Sequence, residues 1–260
     1  MQATQPDVSA GTVTPGRAPS QPRARRFYVG IALFMIIIVL AGFWPSYFRP
    51  VSRGVVDKWP WVIHLHAATF IGWMALLLTQ VLLVSTGRTR IHRKLGTFGI
   101  GYGILVIFIG LVVSFALPIH HLAVDGWEMN RAAHLLLIGW SDIAWFAGFF
   151  GAAIAYRRRP ETHKRLMVLA AVALTLPGTG RLALAIFGMQ MLIIMLVVLS
   201  PVLIAMGHDV LTRRRIHPTY LIGTPILLGR LVWQFVVVES EPGLEVGRRV
   251  LTTLMGGAVQ

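Results

Sequence analysis

The sequence predicts an all-α, polytopic integral membrane protein: a helical bundle of about seven transmembrane helices with a cytoplasmic N-terminus. Composition is the first reason. Of the 260 residues 55% are hydrophobic and only 13% charged, and several apolar runs reach the roughly 20 residues with which a helix crosses a bilayer. The second is a recurring punctuation. Arg88-Thr-Arg-Ile-His92-Arg-Lys, Arg157-Arg-Arg-Pro-Glu-Thr-His163-Lys-Arg and Arg213-Arg-Arg-Ile-His217-Pro are basic knots, each with one His and each between two apolar runs. The third is the sign of the segments between runs, which alternates as the positive-inside rule requires.

Taken in order, residues 1–26 are rich in Pro, Ser, Thr, Gln and Gly and end in Arg23, Arg25 and Arg26, which reads as a disordered cytoplasmic tail. Seven spans follow at about 27–48, 60–86, 97–117, 132–156, 164–187, 190–209 and 218–238. The basic tail and the three knots, counting Lys164 and Arg165, fall on one side. Only Arg49, Arg53, Lys58, Arg131, Arg248 and Arg249 fall on the other, together with most of the acids. Trp44, Tyr47, Phe48, Trp59, Trp61 and Trp127 form an aromatic belt on that outer side. The short Gly188-Met-Gln190 link is the weakest boundary; if 164–209 did not cross twice, the C-terminus would lie inside. Residues 239–260 are too polar for an eighth span and predict an outer-side tail with a short surface helix around Leu244–Leu254.

A net charge of +14 could suggest nucleic acid, but such binding needs a basic face on a soluble fold. Here the cations sit in short loops between spans, so nucleic acid is not an expected partner and the cell membrane is the expected location. The absence of Cys excludes disulfides, thiolate metal sites, iron–sulfur clusters and covalent haem attachment.

Ionisable groups within spans cost a few kcal/mol each on insertion scales and mark function by default. Asp142 falls near the middle of the fourth span, with Arg181 of the fifth and Arg230 of the seventh in the outer half. The expectation is that Asp142 pairs with one arginine, either to fix helix register or with the second arginine left for a ligand. Forked guanidinium donors suit a haem propionate, a lipid phosphate or a quinone oxygen. Helical spacing puts His66, Thr69, Trp73 and Gln80 on one stripe, and His134, Ser141 and Trp145 on another with Asp142 on its flank. His66 and His134 are the best pair to ligate b-type haem iron, differing in depth by about 5 Å, with His64 and His121 in reserve. His92, His163, His208 and His217 read as head-group contacts or helix caps. Pro177-Gly-Thr-Gly180 is expected to interrupt and kink the fifth span just before Arg181, and the Gly96, Gly99, Gly101, Gly103 string to permit close helix approach. Every second span ends in a His-bearing knot, so spans two to seven resemble three hairpins.

The stretch His64-x-His66, Trp73, Gln80, Gly87-Arg88 and His92-Arg-Lys-Leu-Gly96, with His163-Lys-Arg-Leu-Met167, resembles a set of bacterial multi-pass membrane proteins that carry a His-Arg-x-x-Gly signature and have no agreed activity. His163-Lys-Arg-Leu-Met167 is also similar to small membrane proteins of terminal-oxidase assembly, and the His-bearing hairpins to b-type diheme membrane cytochromes. Three functions are consistent with these residues. One is a redox protein binding b-type haem or quinol in the outer half, through His66, His134, Arg181 and Arg230. Another is a transporter or a lipid- or organic-anion-binding protein, with Asp142 and the histidines as a relay. The third is a non-catalytic assembly factor.

Overall fold

The computed structural model describes residues 22–55 and 59–256; of the tail expected over residues 1–26, residues 1–21 lie outside the described residues and 22–26 belong to the first helix. Among them every regular element is helical, and seven helices are long and apolar enough to cross a membrane. The chain is a multi-pass all-α membrane bundle. In order it runs α1 (Pro22–Phe43), a π-helical turn (Trp44–Phe48), α2 (Arg49–Ser52), α3 (Trp61–Ser85), α4 (Thr89–Val124), α5 (Met129–Ala155), α6 (Pro160–Phe187), α7 (Met191–Arg213), α8 (Pro218–Trp233), a second π-helical turn (Gln234–Val238) and α9 (Glu241–Leu254).

Short turns make α3/α4, α5/α6 and α7/α8 antiparallel pairs, with all three basic knots at one end of the bundle. The weak Gly188-Met-Gln190 boundary is a true reversal. Gly188 takes φ +65, open to glycine without steric cost, and Arg165 at the start of α6 meets Asp209 near the end of α7. Residues 44 apart can meet there only if both helices traverse the bundle.

Helix α6 is the axis. Every residue from Val168 to Thr175 is buried, and α1, α5, α7 and α8 all pack on it. Its Ala170, Ala171 and Ala173 let neighbours approach, which matters because lipid offers no hydrophobic drive for helices to associate. Pro177-Gly-Thr-Gly180 does not interrupt the span as expected, since α6 continues through it. Its role is packing: a Cβ on Gly42 of α1 would lie 1.9 Å from the Gly178 carbonyl oxygen, so the two backbones touch directly.

Two boundaries differ from hydropathy. Helix α4 has 36 residues, about 54 Å at 1.5 Å per residue, and extends beyond the apolar run at both ends. The C-terminal surface helix forms as Glu241–Leu254 and docks on α5. Leu251 is fully buried with Ala132, Ala133 and Leu136, and a Cβ on Gly247 would come within 2.8 Å of the Ala133 Cβ. Ser240 caps it by accepting from the Gly243 N–H (3.2 Å).

Candidate functional site

Away from the basic end, Asp142 of α5 selects Arg230 of α8 and not Arg181. Arg230 Nε and Nη2 both donate to Asp142 Oδ1, at 2.9 and 2.8 Å, and both side chains are buried. The remaining guanidinium nitrogen, Nη1, donates to Gln234 Oε1. Gln234 opens the π-helical turn, and such turns often mark functional sites because they re-aim one residue. Here the wider turn follows an Arg230/Gln234 pair four residues apart, and Gln234 passes the chain of contacts on. Its Nε2 donates to Glu239 Oε1 (3.2 Å) and lies 3.4 Å from His134 Nε2. His134 in turn faces Glu239 at 3.8 Å. A connected polar line thus runs from buried Asp142 to the surface at Glu239. Beside it Trp233 Nε1 donates to Ser141 Oγ (2.9 Å), and Trp145 Nε1 to the Ile226 carbonyl (2.9 Å).

Arg181 of α6 stands apart from this line. It makes no hydrogen bond and no ion pair among the described residues. Its guanidinium lies over the Phe43 ring of α1, 4.7 Å from the centroid, a cation–π contact that leaves the in-plane N–H donors open. It is within electrostatic reach of Asp142 and of His66. His66 of α3 packs its ring on Phe70 (4.1 Å), and its Nδ1 is buried with no hydrogen-bond partner. Such orphaned atoms are rare in folded proteins and call for an explanation.

The rest of the expected histidine set divides among separate surroundings. His66 and His134 share no contact among the described residues, the first facing Phe70 and Arg181, the second Gln234 and Glu239. His64 Nδ1 lies 3.1 Å from the Tyr47 hydroxyl in a cluster with Trp59. His121 stacks on Trp127 (3.9 Å) and pairs with Asp125 (2.6 Å). The α3 stripe also divides. Thr69 bonds its own Leu65 carbonyl, and Trp73 packs edge-on against Phe146 and Phe150. Gln80, its amide nitrogen turned to His92, donates to His92 O (3.2 Å) and Nδ1 (2.7 Å) and accepts from Gly96 N–H (2.9 Å). Gln80, His92 and Gly96, all within the resembling stretch, are one staple closing the α3/α4 turn.

Sequence reasoning missed the most deeply buried charges. Arg165, read as an inner-loop cation, is fully buried, as is Asp209. Arg165 grips both carboxylate oxygens of Asp209, Nε to Oδ2 at 2.8 Å and Nη2 to Oδ1, while Nη1 donates to Glu161 Oε2 at 2.8 Å. Glu161 also receives Lys164 (2.9 Å) and Arg213, and the His217 N–H donates to Asp209 (3.3 Å). The inner histidines turn into the protein. His163 Nδ1 bonds the Ala153 carbonyl (2.8 Å), His208 stacks on Phe27 (3.8 Å), and His217 caps α8 by accepting from Thr219 N–H (3.2 Å). Burial first, and then the positive charge of Arg165, hold the His217 imidazole below its usual pKa. The available signal was Asp209 itself, the only acid in the sixth apolar run.

Among the described residues no three His, Asp or Glu side chains converge as a metal site. No protein-family model, no curated protein and no solved structure matches this chain, so the residues themselves carry the functional reading.

Proposed function

We propose that this protein binds an amphipathic small molecule with an oxygen-acceptor head group, a quinone carbonyl or a lipid phosphate, in the half of the bilayer away from its basic end. The positive-inside rule puts that end on the cytoplasmic side of the cell membrane. The observation carrying the reading is the asymmetry of the two arginines in this half of the bundle, Arg230 buried and Arg181 exposed on the surface of its helix. Arg230 has its donors matched by Asp142 and Gln234, while Arg181 has no acceptor among the described residues and is held flat by Phe43. An arginine in a span without an acceptor is costly, and a ligand oxygen removes that cost. His66, electrostatically coupled to Arg181 and with an unmatched Nδ1, is the second polar contact.

The quinone form of this reading would make the protein a redox component, and the phosphate form a lipid-binding or transport component. Haem ligation by His66 and His134 gains no support from their separate neighbours. Mass spectrometry of molecules co-purifying with wild type and Arg181→Gln tests the proposal. One charge-assisted hydrogen bond contributes about 1.5–3 kcal/mol, so Arg181→Gln should retain about tenfold less of the quinone or acidic lipid. Equal retention would refute the site. A reduced-minus-oxidised spectrum with a sharp b-type band, lost in His66→Ala and His134→Ala, would replace it with a haem protein.

A further inference from the structure

We propose that the basic end of the bundle is a docking surface for anionic phospholipid head groups of the adjoining leaflet, independent of the Arg181 site. Orientation during insertion needs only a surplus of cations at one end. Here the surplus remains unneutralised after folding. Among the described residues the carboxylates at this end, Glu161 and Asp209, are already occupied by Arg165, Lys164 and Arg213. Arg88, Arg90, Arg157, Arg158, Arg214 and Arg215 are all exposed and have no carboxylate partner among the described residues.

Their placement suits a leaflet and not a soluble polyanion. The cations lie at the turns joining three antiparallel helix pairs, directly beside apolar spans. Arg214 takes φ +58, and this reversal separates Arg213, paired with Glu161, from exposed Arg214 and Arg215. At the α5/α6 turn a shallow hollow is lined by Ile154, Ala155, Arg157 and Arg158. Two guanidinium groups beside an aliphatic wall match a phosphate joined to an acyl chain. Juxtamembrane cation clusters attract anionic lipid, each Lys or Arg contributing comparably. This chain carries three such clusters on one rim.

The test uses the full chain in lipid discs of phosphatidylcholine alone or with phosphatidylglycerol at about 3:1, with thermal unfolding as readout, compared at low and high salt. The expected result is a higher midpoint with phosphatidylglycerol, reduced by salt. The gain should fall by roughly a quarter or more in Arg157→Gln/Arg158→Gln, because each cation contributes comparably. It should persist in Arg49→Gln/Arg53→Gln at the opposite end, where both side chains are exposed. Equal midpoints in the two lipid compositions would overturn the proposal. So would an undiminished gain in the Arg157/Arg158 variant, or an equal gain from inorganic phosphate or an oligonucleotide added in detergent.

Discussion

Replacing Asp209 by Asn removes one charge and keeps the shape, which isolates the worth of the buried Arg165–Asp209 pair. Both side chains are fully buried, and Arg165 uses two of its nitrogens on this carboxylate. In Asp209→Asn one oxygen can still accept, but an NH2 group faces the other guanidinium donor. Breaking a buried ion pair from one side costs about 3–5 kcal/mol because the remaining charge keeps its desolvation penalty. Glu161 still reaches Arg165 at 2.8 Å, which favours the lower figure, about 3 kcal/mol. For a chain of this size that corresponds to a fall of about 6–12 °C in melting midpoint, read by a fluorescence-monitored melt in detergent. The double change Arg165→Met/Asp209→Leu should recover most of the loss, since replacing both partners by apolar residues is often neutral. Arg213→Ala removes a half-exposed partner of Glu161 and should cost under about 1 kcal/mol. An Asp209→Asn midpoint equal to wild type, or a double variant worse than the single, would refute the reasoning.

Two further perturbations follow from geometry. Gly42→Ala puts a Cβ 1.9 Å from a backbone oxygen of α6. It should destabilise by about 1–3 kcal/mol or more through overpacking, whereas Gly30→Ala, with open space around it, should be neutral or slightly stabilising in the same melt. His217 supplies a pH test. Its folded pKa is depressed, so the unfolded chain takes up a proton first and stability falls as pH drops through about 6.5. His217→Asn keeps a capping side chain and should lose less midpoint than wild type between about pH 7.5 and 5.5; an identical loss would show that His217 does not contribute.

The apolar runs by themselves determined that the chain is a bundle of seven long helices, because the length that crosses a bilayer is a local property of sequence. Charge in the connecting segments determined which helix ends lie together, and the link at Gly188 proved to be a reversal as the alternation of charge required. The sequence also required Asp142 to find an arginine, since a lone carboxylate in a span is costly. Which arginine it found was a tertiary decision. Arg230 reaches Asp142 because α8 packs against α5, while Arg181 on the axial helix is held over Phe43 instead. The same holds at the basic end. Hydropathy grouped Arg165 with the loop cations because it flanks an apolar run, but its burial depends on Asp209 of α7, 44 residues away, and on Tyr220 of α8 closing over it. The stripe on α3 looked uniformly polar along one helix. Its members were then divided by neighbours from α4, α5 and α6, with His66 alone left facing an arginine without an acceptor. Periodicity reports the face on which a side chain lies; only packing decides what stands opposite it.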